Sequence, residues 1–172
     1  MLAVGPRVAE PRPDAGCFKN ILFATDFGPA SAQAFPLALA IAEDCSAKLV
    51  LLHLVPPMSF ADIGAGGYGP AAYDKEDLTA WHQQMREEGL RKLKALIPEG
   101  AKLPAQPDYI VETSFLPDGI LDSAAIHKSE LIVMGANRTR SPRVVAHLPW
   151  TLIHNVLCEA QCPVLAVRDS EA

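Results

Sequence analysis

The residues best placed to do chemistry lie between Leu131 and Thr151, in the stretch LIVMGANRTRSPRVVAHLPWT. An apolar run ends at Gly135, and Asn137, Arg138, Thr139, Arg140, Ser141 and Arg143 follow it. Thr151 then stands where it can cap a helix from Leu152 to Glu159. A strand, a glycine at a sharp backbone turn, a basic loop and a capped helix start are the parts of an anion site in an α/β protein. Free amide N–H groups and the helix dipole there face the carboxyl end of the strand. The same residues also fit an ordinary strand-to-helix loop with solvated arginines, and a short motif does not separate the two. A second chemical group, the carboxylate of Asp26, sits where the first apolar run, ILFAT, stops.

The elements that must position these groups are legible as apolar runs. Residues 21–26, 49–55, 107–112, 130–134 and 163–167 read as strands, most of them too continuously apolar to have a wet face. Helical spacing predicts helices near 31–46, 73–97, 120–128 and 152–159. Pro36 falls inside the first of these and delays the start of its regular part. Alternating strands and helices, with right-handed crossovers, predict an α/β fold: a single-domain open five-stranded parallel sheet with helices on both faces. Ligands on such sheets lie beyond the strand carboxyl ends, which puts Asp26 and Gly135 at one crevice.

Size and composition bound the rest. The chain has 172 residues, 49% of them hydrophobic, which is enough for one core. A net charge of −5 without a long basic run argues against nucleic acid as a partner. No apolar run approaches the roughly 18 residues of a membrane span, so no membrane partner is expected. Residues 1–17, with three prolines and no apolar leader, read as a flexible N-terminal tail. The domain is expected over 18–168, and 169–172 as a short C-terminal tail. Cys17, Cys45, Cys158 and Cys162 are few and irregularly spaced, and read as reduced thiols of a cytoplasmic protein. The glycine-rich loop after Pro56-Pro57 lacks a Gly-Lys-Ser/Thr and reads as a flap or partner surface.

Other chemistry has less to stand on. His154 and Cys158 are four apart, with His147 and Cys162 nearby, but no CxxC or CxxH pair makes a metal set, and none is expected. There is no GxSxG elbow. His53 reads as a hydrogen-bonded core residue and Asp118 as a helix N-cap. No residue is assigned a catalytic role.

Taken together, ILFATDF, LVLLHLV, ELIVMGA and CPVLAV, in this order and spacing, resemble the universal stress protein family over residues 18–168. The resemblance implies strand order 3-2-1-4-5, a usual dimer, and two branches, one binding ATP and one binding no nucleotide. The ATP branch carries G-x2-G-x9-G followed by Ser or Thr. Here Gly135 fits the first glycine, and Arg138 occupies the second position. Leu148 by strict count, or Trp150 when aligned back from CPVLAV, occupies the third, with Thr151 in the Ser/Thr place. Asp26 matches the residue that meets ribose in that branch, and Ala24, Thr25, Leu54 and Met134 match the adenine pocket. The adenosine half is therefore kept and the phosphate half rewritten. A glycine lets backbone approach phosphate, whereas Arg138 would offer a charge-assisted bond and Trp150 could fill the pocket.

The implied function is a sensor or regulatory domain binding an adenine nucleotide, ATP, with little turnover, at most a slow ATPase. The alternative is a dimeric interaction module of the same fold that binds no nucleotide. In order 3-2-1-4-5 the last strand lies at the sheet edge, and too few residues follow Arg168 to cover it. An apolar open edge invites a second copy, so a homodimer through Pro163–Arg168 is expected.

Overall fold

The apolar runs become the sheet. The structure, a computed structural model, describes residues 1–8, 16–57, 75–136 and 148–168, without the side chains of 75–78 and 148–151. Its strands are β1 (Leu2–Ala3), β2 (Asn20–Ala24), β3 (Lys48–Val55), β4 (Asp108–Thr113), β5 (Leu131–Ala136) and β6 (Val164–Arg168). Its helices are α1 (Pro29–Asp44), α2 (Lys75–Leu96), α3 (Asp118–Ile126) and α4 (Leu148–Glu159). The sheet order is β1-β6-β5-β2-β3-β4. The five expected strands thus stand in the expected order, all parallel. The expectation of five strands is corrected to six, because Leu2 and Ala3, inside the segment read as a tail, pair antiparallel with Leu165 and Val164.

Both faces of the sheet are buried, which is why its strands carry no polar alternation. On one face Leu22, Val50, Leu52, Ile132, Met134 and Val164 pack against Ile120 and Ala124 of α3 and Ile153 and Val156 of α4. On the other, Ile21, Phe23, Leu49, Leu51 and Val133 pack against Ala34, Phe35 and Ala38 of α1 and Leu93 of α2. Successive strand residues alternate between these two cores, as the pleat requires.

Four local expectations are corrected. First, α1 starts at Pro29, earlier than predicted, and runs through Pro36. Pro29 suits a first helical position, and Pro36 is on the exposed side, where water can satisfy the carbonyl it frees. Second, Asp118 is the first residue of α3 and not its N-cap, a place held by Pro117 with no side-chain cap. Third, Cys17 and Cys45 form a disulfide, with Cα atoms 5.3 Å apart, and are not reduced thiols. The start of β2 and the end of α1 both lie at the amino end of the sheet, and that brings the two cysteines together. Fourth, the outer edge of β6 is not open: β1 occupies it. The homodimer expectation drew on an uncovered edge and on the family resemblance; β1 removes the first of these grounds and leaves the second as it was. The glycine-rich loop falls largely outside the described residues.

Candidate functional site

The site is built at the carboxyl ends of β2 and β5, where the sheet order reverses. The turn from β2 into α1 is held by its own polar groups. The Thr25 hydroxyl accepts from the Phe27 N–H at 2.9 Å. The Thr25 carbonyl accepts from His53 Nδ1 at 2.9 Å, which puts the imidazole proton on that nitrogen. Phe27 takes φ 59, a left-handed conformation uncommon for a bulky residue. Its ring is fixed by His53, with centroids 4.4 Å apart, and by Lys92, whose Nζ lies 5.5 Å from the Phe27 centroid. A βα turn held in a costly backbone state by its surroundings is a feature of sites that must be pre-organised.

This turn aims Asp26. Its Oδ1 accepts from the Gly28 N–H at 2.8 Å and from the Ser31 hydroxyl at 2.6 Å. Asp26 thereby supplies the side-chain acceptor that Gly28, the N-cap of α1, lacks. Its carboxylate is fixed in direction before any ligand arrives. Ser31 is buried while Asp26 is exposed, so the pair bridges from core to solvent.

Gly135 has a different role from the one its motif suggested. It lies within β5 and not at a turn. A Cβ there would collide with the backbone of Ala30 and Ser31 at the start of α1. The glycine is needed so that α1 can begin directly over β5, which sets the Ser31–Asp26 pair beside the strand end.

Ala24, Thr25, Asp26, Leu54, Met134 and Gly135 line one pocket of about 130 Å³. Six of the eight residues singled out from the sequence are therefore brought together. Arg138 lies outside the described residues, and so does the Thr151 side chain, although Thr151 itself falls in α4. The pocket adds residues the sequence reading missed: Ser31, Leu52, Leu116, Ile120 and Leu152. Ser31 left a faint trace, a hydroxyl in the first turn of the helix after Asp26. The others carry no signal of their own, being ordinary apolar residues delivered by packing. The lining is apolar on the α3 and α4 side and polar at the Asp26–Ser31 rim. Such a cleft suits a flat apolar group with a hydroxyl-bearing appendage.

Among the described residues no group of three or more His, Cys, Asp or Glu side chains is arranged to hold a metal ion. His154 and Cys158 do meet, at 3.6 Å between Nε2 and Sγ, on the exposed side of α4.

The universal stress protein family model matches residues 18–168. The chain belongs to this family. Its fold is similar to that of the hypothetical protein MJ0577, with TM-score 0.67 and 19% identity over 90% of this chain and 98% of that one. It is similar also to the universal stress protein UspA from Lactobacillus plantarum, with TM-score 0.61 and 24% identity over 88% and 99%. A universal stress protein solved in complex with cAMP gives TM-score 0.54 and 19% identity over 90% and 99%. At these identities the likeness is one of fold. No curated protein matches the chain. Among the described residues no helix is long and apolar enough to cross a membrane.

Proposed function

We propose that this universal stress protein is a sensor that binds an adenine nucleotide in the cleft between β2, β5 and the N-terminus of α1, with little turnover. The observation that carries the reading is the pre-oriented Asp26 carboxylate at the rim of an apolar pocket. Its Oδ1 is held by Gly28 and Ser31, and Leu52, Leu54, Met134 and Ile120 wall the pocket behind it. In this reading the apolar wall takes the base, Asp26 accepts from a ribose hydroxyl, and Arg138 meets phosphate in place of the glycine backbone of the ATP-binding branch. A similar fold solved with cAMP supports an adenine ligand. Among the described residues the polar side chains lining the pocket are Asp26, the Ser31 hydroxyl bonded to it and the Thr25 hydroxyl, which is held by the Phe27 N–H, and binding rather than hydrolysis is the activity proposed.

One observation favours a second reading, an interaction module without nucleotide. The described walls enclose about 130 Å³, well under the roughly 300–1,000 Å³ of usual ligand pockets. Titration calorimetry with ATP, AMP and adenosine separates the two. Under the first reading all three bind, and Asp26→Ala weakens each about tenfold or more, since a hydrogen bond to a charged group is worth about 1.5–3 kcal/mol. Arg138→Ala weakens ATP and leaves adenosine nearly unchanged. Absence of heat and of any thermal shift with all three ligands at millimolar concentration would leave the second reading standing.

A further inference from the structure

A second cavity, of about 550 Å³, reaches the opposite end of the sheet from the cleft, where Ser129 leads into β5 and Cys162 into β6. Its size falls within the roughly 300–1,000 Å³ of usual ligand pockets. No residue lines both this cavity and the cleft.

Three separate pieces of chain build it. α3 contributes one helical stripe, Asp118, Leu121, Asp122 and Ala125, at i, i+3, i+4 and i+7. The connection from α4 to β6 contributes Glu159, Ala160 and Gln161. The third piece is Arg7, from the segment that follows β1. That segment is held in place twice. Gly5 lies against the Leu157 carbonyl, where a Cβ would collide. The Val8 N–H donates to the Gly5 carbonyl at 3.3 Å, closing a turn that carries Arg7.

Charges of both signs line the cavity and do not pair with one another. Arg7 and Lys128 are positive, and Asp118, Asp122 and Glu159 are negative. Among the described residues the ion pairs are Lys48–Asp108, Glu88–Lys92 and His127–Asp108, and none uses these five. Ser129 adds an independent observation: it lines the cavity, and its Oγ is buried without a hydrogen-bond partner. Buried polar groups in folded proteins are nearly always bonded, so this hydroxyl calls for a partner from outside the chain. The surface between the charges is apolar, formed by Leu121, Ala124, Ala125 and Ala160.

We propose that this cavity is a second binding site, and that it takes the zwitterion of an apolar α-amino acid. The guanidinium of Arg7 offers the planar fork that a carboxylate fits. Asp122 and Glu159 supply acceptors for the ammonium, and the negative end of the α4 dipole, at Glu159, adds to their pull. The Ser129 hydroxyl gains its missing bond, and the apolar side chain lies on Leu121 and the alanines. A simple cation would meet Arg7 and Lys128 as like charges, and a simple anion would meet the three carboxylates. Only a ligand carrying both signs answers both sets. The proposal stands apart from the cleft, so a failed nucleotide titration does not touch it.

The test is a nitrogen-15 NMR titration of the full chain with three probes of one shape. These are L-leucine, 3-methylbutylamine (leucine without its carboxylate) and 4-methylpentanoate (leucine without its ammonium). Leucine should give saturable shifts at amides around Arg7, Asp122, Ser129 and Gln161. Each analogue should bind about tenfold or more weakly, having lost one hydrogen-bonded charge contact. Arg7→Gln should close the gap between leucine and the amine, and the pair Asp122→Asn with Glu159→Gln should close the gap between leucine and the acid. Ser129→Ala should weaken leucine severalfold with all charges kept. Circular dichroism checks that each variant is folded. Absence of saturable shifts with leucine at millimolar concentration would overturn the proposal. So would an analogue that binds as tightly as leucine, shifts centred on the Asp26 cleft, or a leucine affinity indifferent to Arg7→Gln.

Discussion

Gly135→Ala is the sharpest probe of why the glycine after the LIVM run is there. One account ties it to a ligand, with phosphate approaching bare backbone. The geometry gives another, in which the missing Cβ makes room for the first turn of α1. An alanine methyl at this position would run into the backbone of Ala30 and Ser31, both buried, and not into the end of a flexible side chain. Overpacking of this kind costs about 1–3 kcal/mol, and an obstacle made of helix backbone places the value near 3 kcal/mol. At a urea m-value of about 2 kcal/mol per molar, the unfolding midpoint should fall by roughly 1.5 M. Gly16→Ala serves as the control. It meets nothing within 4 Å and has no positive φ, so it should be neutral or slightly stabilising. Urea unfolding followed by circular dichroism measures both. A Gly135→Ala midpoint within about 0.25 M of wild type would refute the packing argument. If that variant also lost nucleotide affinity, the ligand account would be the correct one.

Two further outcomes follow from the cysteines. The Cys17–Cys45 disulfide closes a loop with a sequence separation of 28, for which chain entropy alone predicts about 3.5 kcal/mol. Cys45→Ser should lower the urea midpoint accordingly, and reductant should lower the wild type to match; superimposable curves with and without reductant would contradict the bridge. The Cys162 thiol is pushed up to about 11, chiefly by burial, with Glu130 adding to the effect and a hydrogen bond from the Ile132 backbone opposing it. An unfolded thiol titrates near 9, so between about pH 9 and 11 the unfolded state gives up this proton first, and rising pH favours unfolding over that window. In the folded protein, mass-spectrometric alkylation of Cys162 should stay slow at pH 8 and accelerate toward pH 11. Complete labelling at pH 8 at the rate of a free thiol would overturn the burial assignment.

What could be read from the chain divides along physical lines. The five long strands were legible because a parallel sheet covered on both faces demands continuous apolar runs, and ILFA, LVLLHLV and LIVMGA are such runs. Their spatial order came from family resemblance, since nothing in a run of valines and leucines says which strand it will adjoin. β1 was illegible for a firmer reason. Leu2 and Ala3 have no strand pattern of their own, and they become a strand because Val164 and Ala166 present unmet backbone groups. The disulfide was hidden in the same way: its cysteines meet only once β2 and α1 have been laid antiparallel on the sheet. Asp26 was legible as a carboxylate at a strand end. Its partner Ser31 was not, because the hydrogen bond depends on α1 starting where Gly135 lets it.

That dependence ties the stability of the fold to the chemistry of the cleft. The Asp26 carboxylate is at once the acceptor for the uncapped first turn of α1 and the polar group at the pocket rim. A ligand hydroxyl that donates to it meets an acceptor already fixed in place, so little ordering cost falls on binding. Removing it loosens the start of α1 as well as the pocket. Asp26→Ala therefore cannot be interpreted from affinity alone, and the comparison that isolates its ligand contact is with Ser31→Ala. The serine variant loosens the same turn and keeps the carboxylate. If the two variants lose similar stability while only Asp26→Ala loses adenosine affinity by tenfold or more, the carboxylate itself contacts the ligand. If both lose affinity equally, what the ligand requires is the position of α1, and Asp26 is a capping residue that happens to border the cleft.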